Sequence, residues 1–123
     1  MSQDIIADTL NQIMNRKKAG YADVVVNRYS NLLLELFEIV KKEGYIKDYK
    51  IIGNNLEIKF NLHYCKAIKP RYAVNVKVID KYVRRFIPSR DFGIIVISTN
   101  KGLMTHKDAL KNNLGGSLLA YFF

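Results

Sequence analysis

In Leu56-Glu57-Ile58-Lys59-Phe60-Asn61-Leu62 every second side chain is apolar and those between are polar. A period of two puts Leu56, Ile58, Phe60 and Leu62 on one face of a strand and Glu57, Lys59 and Asn61 on the other. The strand therefore belongs to an antiparallel sheet with one packed face and one wet face. Tyr45 to Ile52 precede it as a second strand, and Gly53-Asn54-Asn55 supply the turn of a hairpin. Upstream, Ser30 is placed to cap a helix over 31–43 whose buried stripe is Leu33, Leu36, Phe37 and Val40, and Gly44 ends it. Residues 22–27 read as a short strand. Residues 3–17 read as a helix, with Ile6, Leu10, Ile13 and Met14 at helical spacing. Asp4 and Asp8 suit the positive end of its dipole; Arg16, Lys17 and Lys18 suit the negative end. The first lobe, residues 1–62, is thus α-β-α-β-β with helices on one face of a small sheet.

The second lobe, residues 63–123, is expected to be mostly β with short helices, which makes the chain α+β. It opens with a loose basic segment over 63–71 containing Pro70. Val74, Val76 and Val78 alternate as a strand. Residues 80–86 read as a short helix closed by Pro88. Gly93 to Thr99 form an apolar strand, and 100–103 turn the chain. Thr105-His106-Lys107-Asp108 resembles a capping box with Asp in place of Glu, opening a helix to about Asn113. Gly115-Gly116 make a tight turn into a final strand, 117–123.

At 123 residues, 49% hydrophobic and 25% charged, the composition is that of a globular domain and not of a disordered chain. The longest aliphatic runs, Leu32-Leu33-Leu34 and Ile94-Ile95-Val96-Ile97, are far short of the roughly 18 apolar residues of a spanning helix, so no membrane partner is expected. Cys65 is the only cysteine, and with only His63 and His106 beside it no ordinary Cys/His zinc site can form. The acidic start, Asp4 and Asp8, is unlike a secretory signal or a mitochondrial presequence, so the protein is expected to act where it is made or to be already mature.

The charge points further. The net is +9, and it is unevenly placed. Residues 1–62 carry nine basic and eight acidic side chains, whereas 63–123 carry eleven basic and three acidic, a net of +8. A general solubility surplus would spread over the surface; a face for a polyanion concentrates it.

Two groups in the second lobe fit such a face. Ser98-Thr99-Asn100-Lys101-Gly102 bring two hydroxyls, an amide, an ammonium and a glycine to the end of an apolar strand. Hydroxyls and amides can meet ribose 2′-OH groups and base edges, the lysine a phosphate, and the glycine a closely approaching backbone. The plainer alternative is a polar hairpin tip that merely satisfies its own turn. The second group is Lys66, Lys69, Arg71, Arg84, Arg85 and Arg90, interleaved with Tyr64, Tyr72, Tyr82 and Phe86. These are phosphate contacts with stacking rings, or a solvated basic surface with half-buried tyrosines. Catalysis finds no footing, since no nucleophile, base and orienting group can be named together. Cys65 in its basic stretch is a candidate low-pKa thiol or a buried one, and His106, inside the capping box, is expected to face solvent.

The run Ile97-Ser-Thr-Asn-Lys-Gly-Leu-Met-Thr105, then Asp108-Ala109, then Gly115-Gly116 and a closing strand, resembles the C-terminal signature of the universal small-subunit ribosomal protein eight family. That family writes the run as Ser-Thr-Ser-Lys-Gly-Val-Met-Thr. Asp4-Ile-Ile-Ala-Asp-Thr-Leu10 with Asn15 resembles its opening helix, and Glu43-Gly44-Tyr45-Ile46 with Asp48-Tyr49 resembles its Glu-Gly-Phe-Ile segment. The resemblance covers essentially the whole chain. It implies two α/β lobes and no enzyme activity, cofactor, metal or small-molecule substrate. It implies a structural protein that attaches early to a stem in the central domain of small-subunit rRNA and supports docking of neighbouring ribosomal proteins. Bacterial members also repress their own messenger RNA.

Carried over by position, Ser98, Thr99, Asn100, Lys101 and Gly102 would make the main contact. Gly115, Gly116 and the end of the last strand would flank it, and the start of helix one and the neighbourhood of Lys17 and Lys18 would add contacts from the first lobe. Lys69, Arg71, Arg84, Arg85 and Arg90 would neutralise phosphates. Asn100 replaces the Ser, and Ser117 the Glu, of many bacterial members. Pro88-Ser-Arg-Asp-Phe-Gly93 and the Phe122-Phe123 end look archaeal or eukaryotic, whereas Asn-Lys-Gly-Leu-Met-Thr looks bacterial. Abundant Lys, Asn and Ile point to an AT-rich genome and favour a mitochondrial ribosome over a bacterial one. The alternatives are a non-ribosomal RNA- or DNA-binding regulator and a small hydrolase.

Overall fold

The computed structural model describes residues 5–68, 71–88 and 92–123. Its elements are α1 (Ile5–Lys18), β1 (Asp23–Val26), α2 (Asn31–Lys42), β2 (Ile46–Ile52), β3 (Asn55–Phe60), β4 (Cys65–Ala67), β5 (Ala73–Val74), α3 (Val76–Phe86), β6 (Ile94–Thr99), β7 (Gly102–Thr105), α4 (His106–Lys111) and β8 (Gly116–Phe122). The architecture is α+β, and the chain divides into two compact units, Met1–Cys65 and Lys66–Phe123.

In the first unit the alternating strand β3 lies at the centre of an antiparallel sheet of order β1-β3-β2. Its apolar positions Leu56, Ile58 and Phe60 are buried together with Val24, Val26 and Ile46. Asp23, Lys59 and Asp48 line up across the three strands on the opposite face, as do Val25, Glu57 and Lys50. The helices supply the other half of this core: Leu10 and Ile13 from α1, and Leu33, Leu36, Phe37 and Val40 from α2, all fully buried. Ser30 caps α2 as its position predicts, its side chain accepting from the Leu33 N–H at 3.2 Å. Tyr49 packs its ring 5.9 Å from Phe37 and donates its hydroxyl to Glu38 Oε1 at 2.7 Å. Burial and then the Glu38 carboxylate push its pKa up to about 12.

The second unit is built on a sheet of order β4-β8-β6-β7, with β5 also pairing with β8. Ile94, Ile95, Val96 and Ile97 of β6 are all buried, as a continuous apolar run in a central strand requires. One face of the sheet is closed by α3 and α4: Ile95, Ile97 and Leu118 pack with Ile79, Val83, Ala109, Ile68, Val74 and Ile87. A β-bulge interrupts the pairing of β6 with β8. Val96 pairs with Ala120 but Ile97 with Leu118, so Leu119 is extra. The bulge resets the alternation, and Tyr121 joins Leu118 on the face that α3 covers.

Three local expectations change. Val74, Val76 and Val78 are not one strand. The strand ends at Val74, Asn75 stands at the helix N-cap, and Val76 opens α3. Period two over three valines loses to period 3.6 over Ile79, Val83 and the exposed Lys77, Lys81 and Arg84. The segment over 63–71 is not wholly loose, because Cys65–Ala67 joins the edge of the sheet as β4. The turn expected over 100–103 is tighter, with Thr99 paired to Gly102 and only Asn100 and Lys101 at the tip.

Candidate nucleic-acid interface

The β6–β7 hairpin tip is organised by Thr99. Its hydroxyl donates to the Gly102 carbonyl at 2.8 Å and accepts from the Lys101 N–H at 3.1 Å. Gly102 takes φ 108°, a left-handed conformation that disfavours any side chain. Asn100, Lys101 and Gly102 are exposed, while Ser98 and Thr99 are half-buried. The tip is thus a preorganised loop presenting an amide, an ammonium and a bare backbone. Thr99 holds its shape.

The structure brings a second group to this end of the sheet. Ser98 pairs with Ser117 and Thr99 with Gly116, and on the other side of β8 Ala73 pairs with Ser117 and Val74 with Gly116. Gly116 therefore lies between two strands. A Cβ there would run into the carbonyl oxygen of Ser98, and one on Gly115 would stand 2.6 Å from the Val74 carbonyl. These glycines are demanded by close backbone packing beside the tip.

The basic residues are distributed over other elements. Arg84 and Arg85 are exposed near the C-terminal end of α3, and Arg71 and Lys66 are exposed at the start of the unit. Arg85 sits over two rings, 5.8 Å from the centroid of Tyr72 and 5.4 Å from that of Phe86. Lys17 and Lys18 close α1 in the first unit. Lys69 and Arg90 lie outside the described residues.

Of the two candidate reactive groups, His106 departs from expectation and Cys65 takes the buried alternative. His106 does not face solvent. It is 2% exposed, and its Nδ1 accepts the Ile95 N–H at 3.1 Å. The ring fills the space under α4 while Thr105 caps the helix by accepting from the Asp108 N–H. Burial first, and then Lys107, lower the His106 pKa, against an opposing pull from Asp80. Cys65 is buried, and its thiol donates to the Leu10 carbonyl at 3.7 Å. Burial pushes its pKa up to about 12, so the neighbouring lysines do not activate it.

Tyr121 and Phe123, at the end of the last strand, join the rings of α3, a contact that alternation along the strand did not announce. Tyr121 stands 5.1 Å from Phe86 and Phe123 stands 6.3 Å from Tyr121. Strict alternation along the last strand would have sent Tyr121 away from Leu118; only the bulge brings it to the α3 side.

A polar tip held by its own hydrogen bonds thus ends an apolar strand, within a unit that carries nearly all the excess positive charge. The family model described as Ribosomal protein S8 matches residues 4–123. The small ribosomal subunit protein uS8 of Nanoarchaeum equitans is 37% identical over 129 residues, and that of Archaeoglobus fulgidus 36% identical over 129, each covering all of both chains. The small ribosomal subunit protein uS8A of Schizosaccharomyces pombe is 31% identical over 127 residues, 98% of each chain. The chain belongs to the ribosomal protein S8 family. These relatives are archaeal and fission-yeast proteins, in keeping with the archaeal and eukaryotic look of the 88–93 and 122–123 stretches. They lend no support to the mitochondrial or bacterial ribosome inferred from composition.

Proposed function

We propose that this chain is a structural component of the small ribosomal subunit, of the archaeal or eukaryotic type, that binds the subunit's rRNA directly through its second unit. Its work is recognition without catalysis. Lysines and arginines of the second unit neutralise phosphates, which sets affinity but carries no sequence information. The 98–102 turn meets the sugar edge and backbone of a distorted stem, since an A-form major groove is too narrow for a helix to enter. Neighbouring ribosomal proteins are its other partners. The observation that carries the reading is the hairpin tip itself. Thr99 fixes the turn internally, so its backbone is already ordered before binding and only the Asn100 and Lys101 side chains remain to be fixed.

Lys101→Ala tests it. Binding to the central-domain stem of small-subunit rRNA, followed across a salt series, should weaken, and the log–log salt slope should fall by about one. A slope identical to that of the wild type would remove Lys101 from the phosphate contacts and the reading would fail at its centre.

A further inference from the structure

We infer that α3 and β8 carry a stacking platform for unpaired nucleotides, separate from the hairpin tip and running away from it. This rests on the RNA-binding reading. Five rings follow one another along the second unit: Tyr72, Tyr82, Phe86, Tyr121 and Phe123. Successive centroids are 5.6, 6.3, 5.1 and 6.3 Å apart, with interplanar angles of 24°, 12°, 28° and 16°. Near-parallel rings this far apart overlap only at their margins, so they lie like tiles and leave part of each face to a further partner. All five are half-buried, and Tyr72, Tyr82, Phe86 and Tyr121 pack against the core of the unit.

The course of the tract follows from the register. The Tyr72 carbonyl accepts the Leu118 N–H at 2.9 Å, one residue from the Ser117 that pairs with Ser98. The tract therefore begins beside the hairpin end of β6. It ends at Phe123, next to the Phe122 that pairs with Ile94 at the opposite end of that strand. A strand of RNA leaving the stem at the tip meets the rings in order.

The charge selects the occupant. Arg85 lies directly over the tract, at Tyr72 and Phe86. Lys77, Lys81 and Arg84 are exposed on the same helix, where Asp80 is the only acid. Aromatic rings with a guanidinium over them, on a helix whose exposed charges are mainly cationic, match a base and a phosphate together, whereas an apolar protein segment would leave Arg85 without an anionic partner. Every base has a π-face, so the platform is indifferent to sequence.

The experiment uses the full chain and two probes: a single-stranded six-residue oligoadenylate carrying one 2-aminopurine, and the paired rRNA stem. The wild type should bind the oligonucleotide and quench the 2-aminopurine, the signature of stacking. Tyr82→Leu and Tyr121→Leu should each weaken that binding about tenfold, within the range of one lost stack, and Tyr82→Phe should restore it. Arg85→Gln, at an exposed position, should weaken it without lowering the melting temperature, which covers the case in which a leucine variant fails to fold. Binding of the stem with no quenching of the oligonucleotide would overturn the platform and leave the hairpin reading standing. Quenched oligonucleotide with no preference for the stem would keep the platform and sink the hairpin. Quenching that survives the tyrosine and arginine variants alike would place the stacked oligonucleotide elsewhere on the chain and overturn the proposal.

Discussion

Thr99 shows how one hydroxyl can hold the shape of an exposed turn. Both of its hydrogen bonds are internal to the turn. Thr99→Val keeps the shape and deletes both, leaving the Lys101 N–H to water. The turn is exposed, so the loss should be about 1 kcal/mol, read as a melting temperature lower by roughly 4 °C. Stem binding should weaken with it, because the tip is no longer held; Thr99→Ser should restore both. Undiminished stability would mean that the hydroxyl does not organise the turn. Gly116 makes the opposite case, a residue defined by what it lacks. Gly116→Ala sets a methyl against the Ser98 carbonyl, which is backbone and cannot swing aside. A cost above about 2 kcal/mol in a denaturant titration is expected, and a neutral substitution would contradict the close approach. That glycine was legible as a motif position but not as a packing necessity, since its neighbour Ser98 is distant in sequence.

At the scale of elements, β3 and α2 were readable because one period dominates each and the caps agree with it. α3 was misread at its start: Val74, Val76 and Val78 satisfy period two, and only Asn75 separates strand from helix. The β8 bulge was invisible, since Leu118, Leu119 and Ala120 read the same in either register. α4 was placed by its capping box, yet the role of its first residue was missed. His106 is held neutral against the Ile95 N–H, with its proton on Nε2. Its folded pKa lies below the unfolded value of about 6.5. Above that value both states are neutral and the full stability is present. As pH falls below it, the unfolded chain takes up a proton that the folded one refuses, so stability declines until the folded pKa is reached. Chemical denaturation from pH 7.5 to 5 should show this decline, and His106→Gln, which keeps an acceptor but does not titrate, should flatten it. An equal slope in the variant would move the effect to other groups.

Over the whole molecule, the clearest signal in the sequence was the imbalance of charge, +1 before residue 63 and +8 from there on. It pointed to the second half because electrostatics adds over residues wherever the chain places them. It did not reveal which cations meet which rings: the contact of Arg85 with Tyr72 depends on how α3 lies on the sheet. Charge alone also cannot separate an rRNA anchor from a basic protein that adheres to any polyanion. On the proposed reading the shaped tip would make that distinction, and one measurement isolates it: affinity for the central-domain stem of small-subunit rRNA and for a scrambled stem of equal length, across a salt series. The account predicts that both affinities fall as salt rises while the preference for the native stem persists. Equal affinities with the same steep salt dependence would contradict it.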